Sequence, residues 1–141
     1  MKKNTRGFTL IELMIAVVIV GVLVAIAYPS YLSSVRKSNR AEAKAEMMSL
    51  SQRLQRCYTS YTRFNDETNC AVYKDLKDGG VITPGTGFYK ITISHTAGSE
   101  ATTYSLKATA IKTPQTEDTE GGCNELTLEH TGAKAPEECW K

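Results

Sequence analysis

The sequence predicts an α+β protein. One long amino-terminal α-helix, its membrane-spanning half protruding, packs on a three- to four-stranded antiparallel sheet. Three observations carry this. Residues 8–27, FTLIELMIAVVIVGVLVAIA, hold a single charge, Glu12. Beyond them, apolar residues recur at helical spacing as far as Tyr61. Further on, three segments alternate apolar and polar with a period of two. Averages hide this split: the 141 residues are 41% apolar and 23% charged, the values of an ordinary soluble domain. Length and layout exclude a polytopic transporter and argue against a multidomain enzyme. A formal charge of +2 gives no ground by itself for nucleic acid.

The chain opens MKKNTRG, with Lys2, Lys3 and Arg6 and no acid. Basic residues ahead of an apolar run stay on the cytoplasmic side. A secretory signal would have a shorter apolar core and then a small-residue cleavage site. Here the run lasts 20 residues and Tyr28, Pro29, Ser30 and Tyr31 follow. A helix of that length is about 30 Å long, the thickness of a hydrocarbon core. The segment is therefore predicted to cross the membrane once and to remain in the protein. Glu12 disturbs it. An acid costs roughly 3 kcal/mol at the centre of a membrane helix and less near an end. It either snorkels to the interface or awaits a cation on a neighbouring chain.

Past Pro29, one face carries Val35, Ala43, Met47, Leu50, Leu54, Tyr58 and Tyr61, interrupted by Asn39. The opposite side carries Arg36, Lys37, Arg40, Glu42, Lys44, Glu46 and Arg53. No Gly or Pro falls between Tyr31 and Leu76. The pattern predicts one helix from Phe8 to Tyr58, about 75 Å long. Gly21 and Pro29 lie inside it; Pro removes one hydrogen bond and Gly adds backbone freedom.

Arg6-Gly7-Phe8-Thr9-Leu10-Ile11-Glu12, followed by LMIAVVIVGVLVAIAYPSY, resembles the amino terminus of type IV pilins. The match joins a basic leader ending in Gly, a following Phe, and a Glu at the fifth residue after that boundary. Gly21 and Pro29 also fall where such pilins have them. The resemblance implies the pilin fold. It implies that a prepilin peptidase cuts between Gly7 and Phe8 and that the new amino group of Phe8 is N-methylated. It implies partners: other pilin subunits through the helix, the inner-membrane assembly machinery, and the lipid bilayer before assembly. It places the chain in the bacterial inner membrane, single-pass with the head in the periplasm, and then in the extracellular fibre. It favours Gly21 to Pro29 as a stretch that extends when subunits pack. Physics agrees on one point: cutting leaves 14 basic and 15 acidic side chains and sets a cationic amine four residues from Glu12. In a stack of identical helices such a pair sets axial register better than it adds stability. The chain then divides into leader 1–7, membrane and assembly helix 8–30, amphipathic helix 31–58 and head 59–141.

In the head, residues 59–86 read as an irregular connection rich in turn formers: Asn65, Asp66, Asn69, Asp75, Asp78, Gly79, Gly80, Pro84 and Gly85. Three strands follow at 88–95, 103–111 and 125–130, with Tyr89, Ile91 and Ile93, then Tyr104, Leu106, Ala108 and Ala110, then Leu126, Leu128 and His130 each on one side. Gly98 marks a hairpin, and 133–135 is a weaker fourth strand. Cys57, Cys70, Cys123 and Cys139 suit disulfides in an exported domain and allow three pairings. Cys57–Cys70 and Cys123–Cys139 are preferred because each closes a short loop, worth about 3 kcal/mol in the chain-entropy model. Trp140 is expected to cover apolar surface beside the second bridge. Zinc finds no C-x-x-C spacing, and His95 and His130 lie on strand patterns. With no Gly-rich phosphate loop and no nucleophile elbow, no catalytic residue, metal or cofactor is assigned.

A second resemblance covers the head. The strand order, then GGCNELTL, Gly132 and the terminal Cys139-Trp140, is similar to small minor pilins of the DNA-uptake group. The implied role is a minor pilin supporting pilus assembly, twitching motility, adhesion or DNA uptake. The alternatives are a major pilin, a DNA-binding uptake pilin and a type II secretion pseudopilin, against which the two bridges count. A membrane-tethered binding protein that never polymerises is a further class, distinguished by an uncut leader. DNA contact needs exposed cations on one face. Lys74, Lys77, Lys90, Lys107 and Lys112 are the candidates, against the plain role of lysines in blunting sheet edges.

Overall fold

The protein is described by a computed structural model covering residues 7–141. The first helix, α1, runs from Leu10 to Tyr61 with Pro29 inside it. The chain divides into two compact units between Val35 and Arg36. In the first, α1 includes a stretch long and apolar enough to cross a membrane, none of it buried.

The second unit holds the rest of the fold. A short helix α2 spans Ala71–Asp78. The strands are β1 Val81–Ile82, β2 Tyr89–Ser94, β3 Ser105–Ala110, β4 Glu125–Glu129 and β5 Lys134–Ala135. They form one sheet in the order β1-β2-β3-β4-β5, every neighbouring pair antiparallel. Two 3₁₀ turns, Gln115–Glu117 and Glu120–Gly122, link β3 to β4, and α3, Glu137–Trp140, follows β5. The α+β prediction holds: a long helix packs on an antiparallel sheet.

Period-two alternation sets the buried face of that sheet. Ile91 of β2 lies opposite Ala108 of β3, which lies opposite Leu126 of β4. All three are fully buried with Tyr89 and Leu106, and Leu128 is nearly so. From α1, Ala43, Met47, Leu50 and Leu54 complete the core at helical spacing. Each large apolar side chain buried this way contributes about 1.5–3 kcal/mol. Phe64 closes the end of the core, stacked on Tyr58 at 4.6 Å and edge-on to Tyr104 at 4.7 Å. Both preferred bridges are present, Cys57–Cys70 and Cys123–Cys139, with Cα separations of 5.7 and 5.5 Å. Trp140 packs against the core cluster and donates its indole N–H to the Ala135 carbonyl at 3.3 Å.

Two readings need correction. The stretch 59–86 is not an irregular connection: it contains α2 and β1. Val72, Tyr73 and Leu76 give α2 a buried face, a signal masked by the turn formers around it. The sheet has five strands rather than three or four, because two-residue β1 and β5 are too short to show alternation. On the charged side of α1, Arg36, Arg40, Glu42 and Lys44 are partly buried and bind the head.

Candidate functional site

At the start of α1, Gly7 and Phe8 precede the helix, and Phe8 is 82% exposed. Thr9 and Glu12 form a reciprocal cap. Glu12 donates its N–H to Thr9 Oγ1 at 3.3 Å, while Glu12 Oε2 accepts the Thr9 amide at 2.9 Å and the Thr9 hydroxyl at 2.8 Å. A helix leaves its first amides without partners, and a T-x-x-E pair satisfies two of them. The T-x-x-E spacing is legible in the sequence, where the apolar run around it masks its capping role. From Phe8 to Ile26 the large apolar side chains are more than half exposed. A surface of that size calls for lipid or other helices. Next to Gly21, nothing lies within 4 Å of where a Cβ would stand, so a close-packed neighbour would find room there.

In the head, alternation turns Lys90 and Lys107 to the solvent face of the sheet. Register places Lys90 opposite Thr109 and Lys107 opposite Thr92, so the two sit diagonally on adjacent strands. Lys107 is engaged, its Nζ 2.8 Å from Glu125 Oε2. Lys77 is paired with Glu67, and the hydrogen bond to that carboxylate favours the protonated amine and raises the Lys77 pKa. Lys74 and Lys112 are exposed. Lys112 Nζ lies 3.4 Å from the position a Cβ would take at Gly87, and Lys90 Cε 3.1 Å from that at Gly80. Lys112 thus borders the turn between β1 and β2, and Lys90 reaches back to Gly80 at the start of β1, whereas β4 contributes Glu125 and Glu129. The five candidate lysines are unevenly engaged: Lys77 and Lys107 are paired with acids, and Lys90 and Lys112 sit at the β1–β2 side.

The same turn is held from behind by Glu42. Its carboxylate accepts the Gly85 amide at 2.7 Å, the Thr86 amide at 3.0 Å and the Thr86 hydroxyl at 2.5 Å. Burial pushes the Glu42 pKa up, but the Thr86 and Gly85 hydrogen bonds outweigh it and hold the group below the usual carboxylate value.

A polar network ties α1 to the segment between β3 and β4. Arg36 donates from Nε to the Pro114 carbonyl at 3.1 Å and from Nη2 to Glu117 at 3.2 Å. Arg40 Nε stands 3.2 Å from Asp118 Oδ2, and Arg40 Nη1 2.9 Å from Cys123 Sγ. Fully buried Gln115 donates to Asp118 at 2.8 Å and to the Tyr89 hydroxyl at 2.7 Å. Tyr89 in turn donates to the Cys123 carbonyl at 2.8 Å. Burial, reinforced by the Asp118 charge, pushes the Tyr89 phenol up to about 12, so it stays a donor. Sequence reasoning missed this network because no local spacing links Arg40 to Asp118.

Comparison with known proteins fits this geometry to a class, the type IV pilins. Residues 2–28 match the prokaryotic N-terminal methylation motif. Residues 29–127 match the family described as type IV minor pilin ComP, DNA uptake sequence receptor, and the chain belongs to that family. It is similar to the type IV major pilin protein PilA of Myxococcus xanthus, 41% identical over 66 residues, which is 47% of this chain and 30% of the relative. Fimbrial protein EcpC of Eikenella corrodens is 51% identical over 43 residues, 30% of this chain and 28% of the relative. Type II secretion system core protein G of Dickeya chrysanthemi is 33% identical over 54 residues, 38% and 35%. The chain spans about a third of the length of these curated relatives. No solved structure matches it.

Proposed function

We propose that this chain is a minor subunit of a type IV pilus whose head takes up DNA. The observation that carries the reading is the succession, in one chain, of the methylation motif over 2–28 and the DNA uptake receptor family over 29–127. The chain first spans the inner membrane through its apolar segment, head in the periplasm. A prepilin peptidase then cuts between Gly7 and Phe8, and the Phe8 amine is methylated. The freed helix polymerises with other pilins through its exposed apolar side chains, Glu12 setting the register and Gly21 to Pro29 supplying flexibility. The role is structural, not enzymatic. Lys74, Lys90 and Lys112 are the foremost DNA contacts, with Lys77 and Lys107 reaching phosphates only by giving up Glu67 and Glu125. A major pilin or pseudopilin accounts less well for the match over the head.

Intact mass of the mature protein tests the processing: residues 1–7 lost, one methyl gained and four hydrogens absent for two bridges. An uncut chain overturns the pilus reading. DNA titration of the full-length protein in detergent tests the head. Lys90→Glu with Lys112→Glu should weaken binding at least about tenfold and reduce the slope of log affinity against log salt by about two. An unchanged slope removes those lysines from the contact.

A further inference from the structure

Pro84, Gly85, Thr86 and Gly87, between β1 and β2, have little hold on themselves. Two bonds close the base of this turn: the Thr83 amide donates to the Tyr89 carbonyl at 3.0 Å, and the Tyr89 amide to the Thr83 hydroxyl at 3.3 Å. Above that base, none of the four makes a backbone–backbone hydrogen bond among the described residues. Proline has no amide to give, and two glycines in four positions leave the backbone wide freedom. What fixes the turn is Glu42, whose carboxylate accepts the Gly85 amide at 2.7 Å, the Thr86 amide at 3.0 Å and the Thr86 hydroxyl at 2.5 Å. Glu42 reaches them from α1, 43 residues away in sequence. A Cβ at Gly85 would stand 3.0 Å from Glu42 Oε1, so the carboxylate fits because residue 85 has no side chain. The other side of the turn bears on the lysines. Lys112 Nζ lies 3.4 Å, and Ile82 Cγ2 3.6 Å, from the position a Cβ would take at Gly87. The Ile111 amide donates to the Phe88 carbonyl at 2.8 Å. Movement of the turn therefore moves the surface on which Lys112 rests.

We propose that Glu42 is a positioning residue for DNA, holding the β1–β2 turn in the arrangement in which Lys112 meets phosphate. The inference rests on the DNA reading above and adds to it a residue of α1 that touches no nucleotide. Its charge is the opposite of what a direct contact would use, because an acid near a duplex repels phosphate. Its bonds act the other way. A turn without internal bonds has to be ordered at the moment of binding, and the lost entropy subtracts from affinity. Ordering it beforehand, by a side chain on a rigid helix, removes that cost. Both carboxylate oxygens are used: Oε1 takes the two amides and Oε2 the hydroxyl. Charge and reach thus have opposite effects on DNA affinity, and the proposal states that reach is the larger.

Three variants of the full chain separate the two effects. Glu42→Ala removes charge and contact, Glu42→Asp keeps the charge but is one methylene too short to hold the turn, and Glu42→Gln keeps the reach and an acceptor oxygen without the charge. Each is titrated in detergent with a short mixed-sequence DNA duplex, at a temperature where circular dichroism shows it folded. Affinity should fall about tenfold for Glu42→Ala and Glu42→Asp and stay within about twofold of the parent for Glu42→Gln. The slope of log affinity against log salt should keep its parent value in all three, because no phosphate contact is removed. Amide exchange at Gly85 and Thr86 should quicken in the first two. Charge acting alone gives a different order, with Glu42→Ala and Glu42→Gln tighter than the parent and Glu42→Asp unchanged. That order would overturn the proposal. So would parent affinity in Glu42→Ala and Glu42→Asp with only the thermal midpoint lowered, which makes Glu42 a tie of the fold and nothing more. A parent chain whose affinity is indifferent to Lys90→Glu with Lys112→Glu would instead overturn the DNA contact assigned to those lysines, and this role with it.

Discussion

Replacing Arg40 by Ala tests the network that joins the helix to the head. Asp118 is 5% exposed and has two partners, Arg40 at 3.2 Å and Gln115 at 2.8 Å. Without Arg40, a buried carboxylate keeps one neutral amide donor. Breaking a buried pair from one side costs about 3–5 kcal/mol, because the remaining charge is uncompensated. Arg40 itself is 17% exposed, so water enters partly and the lower end, about 3 kcal/mol, is expected. For a head of this size that lowers the melting temperature by about 10–20 °C. Thermal and denaturant unfolding of the full chain in detergent provide the readout. Asp118→Asn added to Arg40→Ala removes the stranded charge and should recover more than half of the loss. If Arg40→Ala cost under about 1 kcal/mol, or if Asp118→Asn made it worse, the pair would be a surface contact and the reasoning wrong.

Other contacts yield three further expectations. Glu42 has a folded-state pKa below its unfolded one, so its contribution is present above pH about 4.5 and is lost as the pH falls through the folded value. Subtracting the stability of Glu42→Gln from that of the parent between pH 3 and 7 should therefore leave a difference that shrinks on acidification. Cys139→Ser should lower stability by about 2–4 kcal/mol and expose 131–140 to protease, with Gly7–Phe8 cleavage unaffected; a parent-like melting curve would refute it. Gly80 has φ +76°, and a Cβ there would stand 2.6 Å from the Ile91 carbonyl oxygen. Gly80→Ala should accordingly cost at least about 2 kcal/mol, read by denaturant midpoint, and should disturb the β1–β2 pairing seen in amide exchange.

Features that repeat locally were legible in the amino-acid sequence. The apolar run, the helical stripe of Ala43, Met47, Leu50 and Leu54, and the alternation of Tyr89-Ile91 and Leu106-Ala108 are each set by a backbone period acting on neighbouring residues. They determined the helix, the sheet and its inward face. Short loop closure correctly paired the cysteines. The motif through Gly7, Phe8 and Glu12 was legible because it too is contiguous, and residues 2–28 match the prokaryotic N-terminal methylation motif. Tertiary structure alone decided what depends on residues distant in the chain. Arg40 meets Asp118 across 78 residues of sequence, and Glu42 reaches the amides of Gly85 and Thr86. On a helical wheel these side chains fall on the charged, solvent-facing side. They are drawn into the head because the turn amides of Gly85 and Thr86 and the buried Asp118 carboxylate take partners that their own segments do not provide. The lysines show the same division. Their exposure was legible from strand alternation, but Glu125 on β4 and Glu67 before α2 choose which of them stay free, and only the folded chain brings those acids within reach.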